Sequence, residues 1–107
     1  MGDERPILIV EDDDQVAATI SRALVREGWA TETAATLAEG RQLLERTNPR
    51  IVVVDLGLPD GSGIAFVREA AARGGTGVIV VSGRGEEVDR VVGLEVGADD
   101  YIAKPFS

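Results

Sequence analysis

Five side chains that could do chemistry follow directly after short apolar runs of this sequence. In chain order they are Glu11, Asp12, Asp55, Ser82 and Lys104. The clearest of these runs, 51–54, consists of four β-branched residues and is typical of a strand buried on both faces. In open α/β sheets, ligands bind beyond the carboxyl ends of the strands. If the strands are parallel, the five side chains therefore meet at one edge of the sheet.

Three carboxylates gathered at one edge need a counter-ion, because two of them about 5 Å apart repel by roughly 3 kcal/mol at an effective dielectric constant of 20. The chain has no histidine and no cysteine, so the available ligands are oxygen atoms, which suit Mg²⁺. A carboxylate beside Mg²⁺, with a lysine ammonium and a serine hydroxyl, is suited to phosphoryl transfer, where catalysis is mostly positioning and charge stabilisation. The sequence therefore predicts a magnesium-dependent phosphoryl-transfer site.

The elements that must position these side chains alternate between strands and helices. Apolar runs predict strands at 6–10, 29–34, 51–55, 78–82 and 101–103. Between them, four helices are predicted from apolar residues at helical spacing: Val16, Ala17, Ile20, Ala23 and Leu24; Leu37, Leu43 and Leu44; Ile64, Val67 and Ala71; and Val88, Val91 and Val92. Thr36 and Glu39 match a capping box, and Asp13 and Asp14 suit a helix start. This alternation predicts an α/β fold with a parallel sheet.

Composition excludes several other classes of function. At 107 residues the chain has room for one domain with a hydrophobic core. The absence of cysteine excludes disulfides and thiolate metal sites, and the absence of histidine excludes acid–base catalysis by imidazole. A formal net charge of −8 repels nucleic acid and anionic membranes, so we expect no direct nucleic-acid contact by this segment. The acidic N-terminus and short first apolar run predict neither a signal peptide nor a membrane span, and we expect a cytoplasmic protein.

Four sequence motifs identify the class of domain that this chain resembles. They are Val-Glu-Asp-Asp at 10–13, Val-Asp-Leu-Gly-Leu-Pro-Asp-Gly-Ser-Gly at 54–63, Val-Ser-Gly-Arg-Gly-Glu at 81–86 and Gly-Ala-Asp-Asp-Tyr-Ile-Ala-Lys-Pro-Phe at 97–106. In this order and spacing they resemble the receiver domain of two-component response regulators, of the OmpR/PhoB-like branch. The resemblance covers nearly the whole chain.

The resemblance implies a role for each candidate residue. Asp55 would accept a phosphoryl group from a sensor histidine kinase. Asp12 would bind Mg²⁺ directly, Glu11 would hold a metal-bound water, and Gly57 would offer its backbone carbonyl to the metal. A separate set would respond to the phosphoryl group: Ser82 and Lys104 would bind its oxygens, and Tyr101 would be the rotamer switch. Such a domain is a signalling switch, and it is not an enzyme beyond assisting its own phosphorylation and dephosphorylation.

The resemblance also implies a flavodoxin-like, doubly wound sheet of five parallel strands in the order 2-1-3-4-5, over residues 1–107. In that order the first helix covers one face of the sheet and the next three cover the other. A receiver normally adds a fifth helix to the first face, and this chain stops before it, so we expect a truncated domain. We expect a second copy to cover that face, through a homodimer or a domain swap. A further dimer surface would include Arg90, Glu95, Asp99 and Asp100, and we expect a DNA-binding output domain in the parent protein.

Three other functions compete with the switch. A haloacid-dehalogenase-like phosphatase needs a second acid two residues after its aspartate nucleophile, where this chain has Gly57. A flavodoxin-like cofactor carrier needs a phosphate-binding loop after the first strand, where the acidic run 11–14 would repel phosphate. A receiver-like interaction module that is never phosphorylated stays open as the main alternative. Gly57 and Gly83 depart from common family patterns, which leaves the acyl phosphate lifetime and the rigidity of the Ser82 loop open.

Overall fold

The strands predicted from the apolar runs form one parallel sheet. The computed structural model describes residues 4–83 and 94–104. The strands are β1 (Ile7–Val10), β2 (Thr31–Ala34), β3 (Ile51–Asp55), β4 (Gly57–Leu58), β5 (Gly61–Ser62), β6 (Gly77–Ser82) and β7 (Asp100–Ala103), and the helices are α1 (Asp14–Arg26), α2 (Leu37–Thr47) and α3 (Gly63–Ala72). The parallel strands lie in the order β2-β1-β3-β6-β7, and β4 and β5 form a separate antiparallel pair. When β4 and β5 are left out of the count, β6 and β7 are the fourth and fifth strands, so the sheet has the predicted order 2-1-3-4-5.

The three helices of the described residues divide between the two faces of the sheet as predicted from right-handed crossovers. Helices α2 and α3 cover one face, where Phe66, Leu8 and Val54 are fully buried. Helix α1 covers the other, where Ala17 packs with Ile9 and Val81. Strands β1 and β3 lie in the middle of the sheet between these layers, which explains why their sequences are continuously apolar.

The predicted inward faces of two helices need correction. In α1, Ala17 is buried and Ile20 and Leu24 pack against the core, but Ala23 is exposed. In α3 the buried stripe is Gly63, Phe66, Val67 and Ala70, whereas Ile64 and Ala71 are only partly buried. The stripe is rotated by about one residue because Gly63 brings the start of α3 against the backbone of β3: a Cβ atom there would lie 2.6 Å from the carbonyl oxygen of Asp55. The spacing of aliphatic residues in the sequence does not predict this contact between Gly63 and β3.

Strand β2 begins two residues later than predicted. The backbone N–H of Trp29 donates to the carbonyl of Leu24, so this residue closes the end of α1 and cannot pair in the sheet. The indole is instead 39% exposed, and the Arg50 guanidinium lies 4.4 Å from its ring centroid. The Thr36 cap of α2 is confirmed, because Thr36 Oγ1 accepts from the N–H of Glu39, but the Glu39 carboxylate accepts from the N–H of Ala35 rather than from that of Thr36.

The face covered by α1 carries an apolar groove of about 320 Å³. Its lining is Ile20, Leu24, Val53, Ile79, Val81 and Ile102. Ile102 on β7 is 44% exposed, so this part of the face is open to solvent in the described structure. The predicted helix containing Val88, Arg90, Val91 and Val92 lies outside the described residues. Within the described ranges, no helix is long and apolar enough to cross a membrane.

Candidate functional site

Three carboxylates from separate strands converge at one edge of the sheet. Val10 and Val54 are register partners in neighbouring strands, so Glu11, Asp12 and Asp55 follow the two strand ends side by side. One oxygen of each carboxylate lies within 4.8 Å of the others. Glu11 and Asp55 are only 4% and 9% exposed, whereas Asp12 is exposed. The predicted meeting of these side chains is therefore present in the structure.

A lysine ammonium lies inside this carboxylate cluster. Lys104 Nζ forms an ion pair with Glu11 Oε1 and another, at 3.3 Å, with Asp55 Oδ2. Parallel pairing of β7 with β6 brings it there, and the backbone N–H of Lys104 donates to the carbonyl of Ser82. The side chain of Lys104 is 18% exposed, so its charge is largely removed from water. The chain itself therefore supplies one positive charge to the carboxylate cluster.

Burial and the mutual attraction of these charges change their proton affinities. Burial raises the pKa of the Glu11 carboxyl above its ordinary value, and the hydrogen bond from Lys104 opposes this only in part. Burial acts in the opposite sense on the Lys104 ammonium and would lower its pKa. The hydrogen bond to Glu11 and the negative charge of Asp55 outweigh that penalty, so the pKa of Lys104 lies above its ordinary value. Lys104 is therefore held in its charged form.

Ser82 and Tyr101 lie on the strands next to Asp55. Asp55 pairs with Val81, so Ser82 is the residue immediately beyond, at the same edge, and it is 1% exposed. Tyr101 pairs with Val80, and its half-buried ring packs against the core under α2 and α3. Its hydroxyl is buried without a hydrogen-bond partner among the described residues. Both residues therefore lie beside the carboxylate cluster, on β6 and β7.

The loop after Asp55 folds back on that residue. The backbone N–H of Gly57 donates to Asp55 Oδ1 at 3.2 Å, and Gly57 pairs with Ser62 in the β4–β5 hairpin. Gly57 therefore lies next to the carboxylate cluster, and the use of its backbone carbonyl as a metal ligand stays a prediction. A Cβ atom at Gly83 would make only ordinary contact with the Lys104 side chain, at 3.7 Å, so an alanine would fit there.

The predicted dimer surface is described in part. Glu95 and Asp100 are exposed, and Arg90 lies outside the described residues. Asp99 has an internal structural role, since its carboxylate accepts from the N–H of Val78 at 2.7 Å and its own N–H donates to the carbonyl of that residue. Asp99 thus extends the pairing of β7 with β6 by one residue.

Asp60 makes a contact with the start of α2 that could not be predicted from the sequence. It lies in the turn of the β4–β5 hairpin, and its two carboxylate oxygens accept from the backbone N–H groups of Leu37, at 2.8 Å, and Ala38, at 3.0 Å. These are the first residues of α2, whose N–H groups have no partner within the helix. The Thr36 side chain caps the N–H of Glu39, so Asp60 supplies the acceptor for two further N–H groups of this helix end, and no local sequence signal marks that contact.

Asp60 predicts a specific pH dependence of stability. The hydrogen bonds from Leu37 and Ala38 lower the pKa of its carboxyl in the folded state. Ionised Asp60 therefore stabilises the fold at pH values above its unfolded pKa, and this contribution is lost as the pH falls through the folded pKa. We expect the difference in free energy of unfolding between wild type and Asp60→Asn to be largest near neutral pH and to shrink in acid. Urea denaturation across a pH series measures it, and a difference that stays constant into acid would contradict the assignment.

The donor set of the cluster fits a hard divalent cation. All side-chain ligands are carboxylate oxygens, and they lie close enough together to share one ion. Glu11, Asp12 and Asp55, with the backbone of Gly57, would hold it. Lys104 forms ion pairs with two of these carboxylates, Glu11 and Asp55, so we expect metal binding to compete with the lysine contact.

Comparisons with known proteins agree with this geometry. The family model described as the response regulator receiver domain matches residues 7–107. The KDP operon transcriptional regulatory protein KdpE of Escherichia coli, an OmpR/PhoB-type regulator, is 41% identical over 94% of this chain, which spans 44% of the length of KdpE. The crystal structure of a CheY-like receiver domain protein from Methanospirillum hungatei is 34% identical, with a TM-score of 0.90 over 98% of this chain and 85% of that one. A beryllofluoride-activated NtrC4 receiver domain dimer is 30% identical, with a TM-score of 0.87 over 96% of this chain and 86% of that one.

Proposed function

Because the chain belongs to the response regulator receiver domain family, we propose that it is a phosphorylation-controlled switch in which Asp55 accepts the phosphoryl group. Receiver domains are signalling modules of two-component systems. The observation that carries the proposal is the buried Asp55 carboxylate, flanked by the acidic pair at 11–12 and by the Lys104 ammonium. The proposed donor is a sensor histidine kinase.

Asp55 supplies the nucleophile. One of its carboxylate oxygens attacks the phosphorus atom, and the bond from phosphorus to the imidazole nitrogen of the donor breaks. Glu11, Asp12 and the Gly57 carbonyl would hold a metal ion beside Asp55. When bound, Mg²⁺ neutralises charge on the phosphoryl oxygens. Lys104 is already within 3.3 Å of Asp55 Oδ2, so a short movement takes its ammonium to a phosphoryl oxygen.

Ser82 and Tyr101 carry the response to the rest of the domain. Ser82 lies one residue beyond the register partner of Asp55, which supports the proposal that its hydroxyl bonds a phosphoryl group on Asp55. The new bond draws the end of β6 toward Asp55. The buried Tyr101 hydroxyl has no hydrogen-bond partner among the described residues, which costs free energy, so we propose that the ring has a second orientation in which that hydroxyl is hydrated. Phosphorylation thereby shifts the β6–β7 face toward a partner-binding state.

Lys104→Met is expected to raise the affinity for Mg²⁺ and to slow phosphoryl uptake. Unit charges 3.3 Å apart attract by about 1 kcal/mol in water and about 5 kcal/mol at an effective dielectric constant of 20. Desolvation and side-chain entropy offset much of this attraction. If removing Lys104 takes away a net competing attraction of about 1.4 kcal/mol, the affinity for Mg²⁺ rises about tenfold. Calorimetric titration with MgCl₂ measures the affinity of each variant for Mg²⁺. Arg41→Met, which removes the same charge from an exposed ion pair with Glu69, is the control, and equal affinities in both variants would contradict competition.

The proposed function is tested by incubating the protein with Mg²⁺ and acetyl phosphate and weighing the intact chain. We expect the mass of one added phosphoryl group, and its loss when a chelator removes the metal before the donor is added. No mass gain under conditions where the protein binds Mg²⁺ would favour the competing function, an interaction module that is never phosphorylated.

We also propose that the domain self-associates. The apolar groove beside Ile102 and the exposed Glu95 and Asp100 are surfaces that a second copy would cover, by direct pairing or by a domain swap. The NtrC4 receiver that this chain resembles forms a dimer in its beryllofluoride-activated state. Light scattering at high protein concentration, with and without beryllofluoride, tests this, and a monomeric mass in both would contradict it. In the parent protein, the output we propose is a DNA-binding domain.

A further inference from the structure

We propose that Asp60 is a positioning residue for the metal site, an inference that rests on the proposed function. Asp60 ties the loop after Asp55 to the start of α2 and thereby fixes the Gly57 backbone, whose carbonyl is a proposed Mg²⁺ ligand. The tie spans 22 or 23 residues of sequence and joins the turn of the β4–β5 hairpin to the N-terminus of α2.

The loop has a fixed base. The N–H of Gly63 donates to the carbonyl of Leu56 at 2.8 Å, and Ser62 caps α3 through the N–H of Ile64. The N–H of Gly57 reaches Asp55 Oδ1. These contacts attach both ends of the β4–β5 hairpin to β3 and α3. They leave the turn between Leu58 and Gly61 to be held by other groups.

The turn is held against α2 by Asp60. Both oxygens of its carboxylate accept backbone N–H bonds there, and the neighbouring Gly61 lies so near Leu37 that a Cβ atom would be 3.4 Å from the leucine Cδ1. A carboxylate at a helix N-terminus is also favoured by the helix dipole. Since Gly57 and Leu58 pair with Ser62 and Gly61, fixing the turn fixes the register of the strand that carries the Gly57 carbonyl.

The test compares Asp60→Ala with Thr36→Ala. Both changes remove a cap from the same end of α2, but the Thr36 hydroxyl caps the N–H of Glu39 and, among the described residues, makes no hydrogen bond to the loop. Two quantities are measured in each variant: the Mg²⁺ dissociation constant by calorimetry, and hydrogen exchange of the Gly57 amide in metal-free protein by NMR. Asp60→Asn, which keeps one carbonyl acceptor, is the conservative variant.

We expect Asp60→Ala to weaken Mg²⁺ binding about fivefold and to speed Gly57 exchange about tenfold, Asp60→Asn to recover part of both, and Thr36→Ala to change neither. Equal effects of Asp60→Ala and Thr36→Ala, or unchanged Gly57 exchange in Asp60→Ala, would overturn the proposal. If wild type takes up no phosphoryl group, the proposed function fails, but the exchange rates in metal-free protein still decide whether Asp60 holds the Gly57 backbone.

Discussion

Asp55→Asn is expected to abolish phosphoryl uptake from acetyl phosphate completely. The acceptor must be an ionised carboxylate, because an amide oxygen is a far weaker nucleophile and cannot form an acyl phosphate. Asparagine has nearly the same shape, and Glu11 stays beside Lys104, so we expect the variant to fold. Intact-mass spectrometry after incubation with donor and Mg²⁺ measures uptake.

The matched control is Asp14→Asn. Asp14 is an exposed carboxylate in the first turn of α1, and its loss gives the same change in net charge. It should take up one phosphoryl group, as wild type does. Uptake by Asp55→Asn at the wild-type level would mean that another carboxylate is the acceptor and would remove the basis for the roles assigned to Ser82 and Lys104.

Asp12→Asn is expected to weaken Mg²⁺ binding about 100-fold with little change in stability. A charged ligand oxygen beside a divalent cation is worth several kcal/mol even when water screens it, and a neutral amide recovers only part of this. Because Asp12 is exposed and lies within 4.8 Å of two other carboxylates, its neutralisation relieves repulsion and should not destabilise the metal-free protein. Calorimetry gives the affinity and urea denaturation gives the free energy of unfolding.

Asp14→Asn again separates a ligand effect from a charge effect. It removes a negative charge two residues from Asp12, so a general weakening of the field would lower Mg²⁺ affinity in both variants by similar amounts. A loss of less than about threefold in Asp12→Asn would show that the metal binds without this carboxylate.

The grouping of site residues at the edge of the sheet could be predicted from the sequence, because it depends on short apolar runs and on a geometry that all parallel sheets share. Runs of β-branched residues mark buried parallel strands, and parallel strands place their carboxyl ends together whatever the details of packing. The convergence of Glu11, Asp12 and Asp55 follows from those two facts. Capping by Asp13 was predictable for the same reason, since its partners, the N–H groups of Gln15 and Val16, lie within three residues.

What the sequence did not predict depends on contacts between distant elements. The buried stripe of α3 is set by the approach of Gly63 to the β3 backbone, and Trp29 leaves the strand because its N–H closes α1. Nothing in the sequence around Asp60 indicates that this turn residue also caps a helix that begins more than 20 residues earlier. Periodicity alone could not supply these three features.

The most direct measurement is to locate the phosphoryl group itself. Sodium borohydride reduces an acyl phosphate to an alcohol, so a phosphorylated aspartate becomes homoserine and can be mapped by tandem mass spectrometry. The tryptic peptide 51–68 contains both Asp55 and Asp60 and distinguishes the two. We expect homoserine at position 55 alone, and only when Mg²⁺ and acetyl phosphate were both present. Homoserine at another carboxylate, or none in protein shown to bind Mg²⁺, would contradict the assignment of Asp55 as the phosphoacceptor.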